Sequence, residues 1–142
     1  MQLQSYLAFN GNCEQAMNFY KDIFDGEITM LSRFKEMPED VMCAPEEAHD
    51  LVMHCTLQFG DCLLMASDTI DAQNFNPGNN YSISVNVIDE DEAAAIFTGL
   101  SDKGQTIMPF AEAFWGGKFG MLVDQFGVQW MVSSGHKGDE PK

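Results

Sequence analysis

Hydrophobic and polar positions change rhythm several times along the chain, and the changes mark its elements. The stretch LQSYLAFN reads as a first strand and runs into Gly11. Beyond it Cys13, Ala16, Met17, Tyr20, Ile23 and Phe24 recur at helical spacing and make one apolar stripe. Asn12 stands where a helix cap belongs, with Gln15 placed to complete a capping box, and Gly26 ends the helix. EITMLSRF is a second strand, leading into an acidic loop around Pro38 and Pro45. DLVMHCTLQF and CLLMASD follow as strands, joined tightly at Gly60 and Asp61.

After AQNFNPGNN, read as a linker, the order begins again. YSISVNVI is a strand, Asp89 caps a second helix with Glu92 three residues on, and Ala93, Ile96, Phe97 and Leu100 form its stripe up to Gly104. QTIMPFAEAF, KFGMLVDQ and VQWMVSS complete the set. One βαβββ unit is therefore written twice, the second copy starting about 77 residues after the first. The predicted class is α+β: a first unit over residues 1–70, a linker over 71–80, a second unit over 81–134 and a disordered tail over 135–142. Each unit makes a curved sheet with a helix on one face, and the two free faces are expected to enclose a concave pocket.

Strand alternation predicts the lining of that pocket. Ile83, Val85 and Val87 face the helix, which turns Ser82, Ser84 and Asn86 inward. Trp130 and Val132 take the helix side of the last strand, leaving Gln129, Met131 and Ser133 inward. The stretch AFWGGKFGMLVDQFGVQWMV holds both tryptophans of the chain, and they receive different roles. Trp130 and Phe126 are assigned to the core, Phe126 in a turn where Gly127 supplies a positive φ. Phe114 and Trp115 precede the strand-breaking pair Gly116 and Gly117 and are placed beside the concavity. Glu112 is read as an exposed strand carboxylate, with an inward position beside Phe114 and Gly116 as the alternative.

His54, in mid-strand with Thr56 on the same face, carries two readings: a hydrogen-bonded strand histidine, or a group that orients a ligand or moves its proton at the pocket mouth. His49 and His136 are read as solvated. Composition narrows the function. Among 142 residues, 22 carboxylates against seven Lys and Arg give a formal charge of −15, which repels nucleic acid and anionic lipid. No apolar run has the length of a membrane span. Cys13, Cys43, Cys55 and Cys62 show no CxxC or zinc-finger spacing and are expected to be reduced thiols in a cytoplasm.

The doubled unit resembles the vicinal oxygen chelate superfamily, which includes glyoxalase I, extradiol dioxygenases and bleomycin-resistance proteins. YLAFNGNCEQAMNFY, HCTLQFGDCLLMASD and FWGGKFGMLVDQFGVQWM are similar to motifs of its PhnB-like branch, whose members often carry the name 3-demethylubiquinone-9 3-methyltransferase. The resemblance implies a homodimer and a histidine at the position of His54. It also implies where a divalent metal would sit in the superfamily's enzymes, on the first and fourth strands of each unit. Those positions fall near Ser5 or Tyr6, near Leu64 or Met65, near Ser82 and at Met131. None is a His or a carboxylate, so no metal and no other cofactor is expected.

The resulting expectation is a metal-free protein that sequesters or senses a polar, partly planar small molecule, with His54, Thr56, Met65, Ser82, Ser84, Asn86, Phe114, Trp115, Gln129 and Met131 as ligand-binding residues and His54 as the candidate for catalysis. The rival expectation is a metal-dependent isomerase, lyase or dioxygenase with relocated ligands. A methyltransferase is disfavoured, because no strand leads into a glycine-rich turn suited to a nucleotide-like cofactor.

Overall fold

The computed structural model describes residues 1–38 and 45–135. Cys43, His136 and the bulk of the acidic loop lie outside them. The chain divides into two compact units after Asn76. In the first, strands β1 (Ser5–Phe9), β2 (Glu27–Arg33), β3 (Val52–Phe59) and β4 (Cys62–Asp68) form a sheet of order β1-β4-β3-β2. β1 runs parallel to β4, and β3 is antiparallel to both its neighbours. Phe59 pairs with Cys62, so Gly60 and Asp61 make a two-residue hairpin loop, with Gly60 at φ +57°.

Helix α1 (Cys13–Phe24) lays Cys13, Ala16, Met17 and Tyr20 over the sheet, where Leu7, Phe9, Cys55, Leu57, Leu64 and Ala66 are buried with them. Each large side chain so buried contributes about 1.5 to 3 kcal/mol. The start of α1 differs from the sequence expectation. Asn12 is the cap residue, yet its side chain makes no capping bond. Buried Asp68, at the end of β4, does that work: its Oδ1 accepts from the backbone N–H of Gly11 and of Cys13, both at 2.9 Å. Its Oδ2 accepts from Val52 N–H at 3.0 Å. One carboxylate thus joins the helix start, β3 and β4. At the far end Asp25 turns left-handed at φ +53°, and Gly26 follows because a Cβ there would stand 2.8 Å from Gln58 O.

Cys13 and Cys55 are fully buried, and Cys62 is exposed. Burial pushes the Cys55 thiol from 9.0 to about 11 and raises Cys13 further, the Asp68 carboxylate adding to the effect. In a Cys43→Ser background Ellman's reagent at pH 8 should therefore titrate Cys62 at once and the two buried thiols only on unfolding. The unfolded thiols ionise near pH 9 while Cys55 holds its proton to about pH 11, so stability falls as pH rises through this window. Rapid labelling of all three native thiols would contradict the burial.

The second unit begins at Pro77 and repeats the plan. Strands β5 (Ile83–Val87), β6 (Gln105–Glu112), β7 (Lys118–Val123) and β8 (Gln129–Ser134) take the order β5-β8-β7-β6, with β5 parallel to β8. Helix α2 (Glu90–Ser101) buries Ala93, Ile96, Phe97 and Leu100. Its cap is the expected one, Asp89 Oδ2 accepting from Glu92 N–H at 3.0 Å. At the β7–β8 turn buried Asp124 accepts from Phe126 N–H (2.8 Å), Val128 N–H (3.0 Å) and the indole N–H of Trp130 (2.9 Å). Gly127 has the expected positive φ, +88°. Phe126 is only half-buried, because the turn that holds it lies at the end of the ladder; its place is the rim of the core.

Several strands are shorter than their apolar runs. Tyr81 and Ser82 precede β5, since pairing with β8 begins at Ile83 opposite Trp130. Ala113 to Gly117 leave β6 as a turn closed by Ala113 N–H to Gly117 O and Gly116 N–H to Ala113 O. Gly135, expected in the tail, still bonds Ile88 O through its N–H.

Candidate functional site

The sheet face opposite α1 is built from the residues that alternate with the core. Register places Tyr6, Met65, Thr56 and Met30 in one row across β1, β4, β3 and β2. His54 stands two residues from Thr56 on the same face. Tyr6 Oη lies 3.2 Å from His54 Nδ1, and Thr56 Oγ1 lies 2.9 Å from His54 Nε2. Both hydroxyls can donate or accept, so either neutral tautomer is satisfied and a proton path can run in either direction. The Tyr6 ring also leans on the imidazole at 5.7 Å and 42°. The shared face of His54 and Thr56 follows from alternation, as read; Met65 and Tyr6 join them because β4 lies between β3 and β1, which no local pattern reveals.

The free face of the second sheet carries the row Ser84, Met131, Met121 and Met108. Beside it lies Asn86, Ser133, Phe119 and Ala111, with Ser133 Oγ 3.2 Å from Asn86 Oδ1. Gln129 faces Val123 at the other end. Ser84, Asn86, Gln129 and Met131 occupy the face assigned to them, and Trp130 and Val132 are buried behind it. Ser82 does not belong to the sheet, and the register partner of Met131 is Ser84, which moves the expected metal position by two residues. Trp115 meets Phe119 edge to face at 5.6 Å, while Phe114 packs edge to face on Trp115 at 4.9 Å. Trp115 is 49% exposed and Phe114 97%, so Phe114 contributes an exposed ring and little buried surface. Glu112 is exposed at the end of β6, as read. Phe119, Met108 and Met121 were missed, although Phe119 and Met121 stand two apart in KFGMLV, an alternation that was a usable signal.

A surface cavity of about 370 Å³ lies elsewhere, at the start of α1, lined by Gly11, Glu14, Asn18, Arg33, Asp50 and Asp68 among others. Its one guanidinium is engaged, Arg33 bonding Glu14 at 3.0 Å and Asp50 O at 3.0 Å. Lys35 hydrogen-bonds the Asp50 carboxyl and holds it below the usual carboxylate range. Among the described residues the cavity therefore presents no uncommitted cation to an anion.

At the first- and fourth-strand positions the described residues do not fit a divalent-metal centre. The first- and fourth-strand positions pair Tyr6 with Met65 in one unit and Ser84 with Met131 in the other, a phenol, an alcohol and two thioethers. The two thioethers are soft donors, and the neutral phenol and alcohol supply neither the charge nor the imidazole that holds a hard or borderline ion. Both nitrogens of His54 are already hydrogen-bonded, and no group of three His, Cys, Asp or Glu side chains among the described residues could hold a metal.

A family model described as 3-demethylubiquinone-9 3-methyltransferase matches residues 1–133. The protein PA1353 from Pseudomonas aeruginosa is 37% identical, with a TM-score of 0.85 covering 94% of this chain and 97% of that one. A putative 3-demethylubiquinone-9 3-methyltransferase, PhnB protein, from Bacillus cereus is 30% identical, with a TM-score of 0.79 over 94% and 99%. Protein YjdN of Escherichia coli is 28% identical over 143 residues, 94% of this chain and 95% of YjdN. A glyoxalase/bleomycin resistance protein/dioxygenase family enzyme from Burkholderia phytofirmans shares the fold, at a TM-score of 0.61 and 11% identity over 92% and 96%. With the match running through both βαβββ units, the chain belongs to the 3-demethylubiquinone-9 3-methyltransferase family, the PhnB-like branch of the glyoxalase and bleomycin-resistance fold.

Proposed function

We propose that this protein binds a small organic molecule on its helix-free sheet faces and sequesters or senses it without a resident metal. The observation that carries the reading is the donor set: Tyr6 opposite Met65 and Ser84 opposite Met131 offer hydrogen bonds and polarisable packing, and no Lewis-acid site. His54, held between Tyr6 and Thr56, presents an oriented imidazole to the ligand. Ser84, Asn86, Gln129 and Met131, with Trp115 over Phe119, supply polar and planar recognition on the second sheet. Methyl transfer is left out of the reading, because the β1–α1 turn has only Gly11 and its cap position is filled by Asp68.

The reading includes a homodimer in the cytoplasm, with no nucleic-acid or membrane partner. The acidic balance supports the last clause, and no described helix is long and apolar enough to cross a membrane. The test is elemental analysis of protein purified without chelator, together with light scattering and a thermal-shift screen of metabolites. Metal below about a tenth of an equivalent and a stabilising organic ligand are expected. Near-stoichiometric zinc, nickel, manganese or iron would overturn the reading in favour of a metal-dependent isomerase, lyase or dioxygenase.

A further inference from the structure

Gln129, which alternates to the free face of the second sheet, carries a buried hydrogen-bond donor with no acceptor among the described residues. Gln129 Nε2 is buried and makes no hydrogen bond among the described residues. An orphaned donor of this kind costs free energy until an acceptor arrives. It sits at the end of a row of soft side chains, since its face neighbours along β8 and β7 are Met131, Met121 and Val123. Strand rise puts Met131 about 7 Å from Gln129, and Ser133, opposite Phe119, about 13 Å away. Trp115 closes that far end against Phe119.

The second observation is charge. In a chain with 22 carboxylates, the residues paired on this face are Ser, Asn, Gln, Met, Phe, Val and Ala only. The nearest ladder charges, Lys118 and Glu112, alternate to the other side, where Lys118 pairs with Glu90 on α2 at 3.7 Å. An anion brought here would lose its hydration with no cation to replace it, inside a protein of charge −15. A cation would find no carboxylate on the face.

We propose that this face takes an uncharged planar molecule bearing a carbonyl oxygen, the oxygen accepting from Gln129 Nε2 and the plane lying on Met121 and Met131 toward Phe119 and Trp115. The proposal rests on the binding reading above and names its ligand class. Thioethers suit the plane because sulfur is polarisable and the side chains adapt to ring shape. A carbonyl suits the amide because it accepts without a net charge.

Calorimetry with 2-naphthamide, 2-naphthoate and 2-ethylnaphthalene tests it, with tryptophan fluorescence as a second readout. The amide should bind at least about tenfold more tightly than the carboxylate of the same shape. Gln129→Leu should weaken the amide about tenfold and leave 2-ethylnaphthalene unchanged, because only the amide uses the donor. Quenching by the amide should vanish in Trp115→Phe. Equal or tighter binding of naphthoate, indifference of the amide to Gln129→Leu, or no binding of any probe overturns the proposal. If no probe binds and Met121→Glu turns dimers into monomers, the face is instead an interface between copies, and the proposal falls. Stabilisation by a carboxylate or phosphate metabolite would remove this ligand class and leave the binding reading standing; stoichiometric metal would remove the binding reading itself.

Discussion

Trp130→Ala is expected to cost about 3 to 5 kcal/mol of stability, whereas Trp115→Ala should cost no more than about 0.5 kcal/mol. Trp130 is 1% exposed and fills the space between β8 and α2, so its removal leaves a large cavity. It also strips Asp124 of the indole N–H at 2.9 Å, which leaves a buried carboxylate oxygen short of a partner. Trp130→Phe keeps most of the ring volume and loses that donor, and should fall between the two, at about 1 to 3 kcal/mol. Trp115, at 49% exposed, leaves no closed cavity behind. Its loss should appear in ligand affinity, by about 1 to 3 kcal/mol where an aromatic stack is removed. Urea midpoints for the three variants, with the dissociation constant of whichever ligand the screen yields, decide the matter. If Trp115→Ala unfolds the protein as readily as Trp130→Ala, the aromatic stretch is core throughout and its role in binding should be abandoned.

How much of this was legible depended on the distance between cause and effect along the chain. The cap of α2 was readable because Asp89 and Glu92 lie within one turn of each other. The helix-free face of Ser84, Asn86, Gln129 and Met131 was readable because alternation is a local rule. Ser82 failed at the boundary, where the ladder stops before the apolar pattern does. Tyr6 beside His54 was invisible, since 48 residues separate them and only the order β1-β4-β3 joins them. The roles of both buried aspartates were hidden for related reasons. Asp124 reads as one more turn residue until the Trp130 indole is seen to reach it, and Asp68 reads as a strand end until the helix start is seen to lie on it.

Asp68→Ala should accordingly be one of the most damaging single changes in the first unit, costing about 4 kcal/mol. Three backbone donors, on Gly11, Cys13 and Val52, end on its two oxygens, and the carboxylate is buried. Alanine would take the acceptor from all three N–H groups, and although cavity water can reach the exposed Gly11, Cys13 and Val52 are buried. Asp68→Asn should cost roughly half as much, since the amide oxygen can hold Gly11 and Cys13 while the NH2 group turns a donor toward Val52 N–H. The duplicated fold supplies an internal control. Register sets Asp68 opposite Phe9 in one unit and Ser134 opposite Val87 in the other, so Ser134 occupies the corresponding place. There α2 is capped locally by Asp89, and the buried Ser134 Oγ has no hydrogen-bond partner among the described residues. Ser134→Ala removes a polar atom that stabilises nothing and should be neutral or slightly stabilising. Chemical denaturation of Asp68→Ala, Asp68→Asn and Ser134→Ala in one buffer gives the comparison. A loss at Ser134 as large as that at Asp68 would mean that the equivalent corners, and not the hydrogen bonds of Asp68, set the stability of the βαβββ unit.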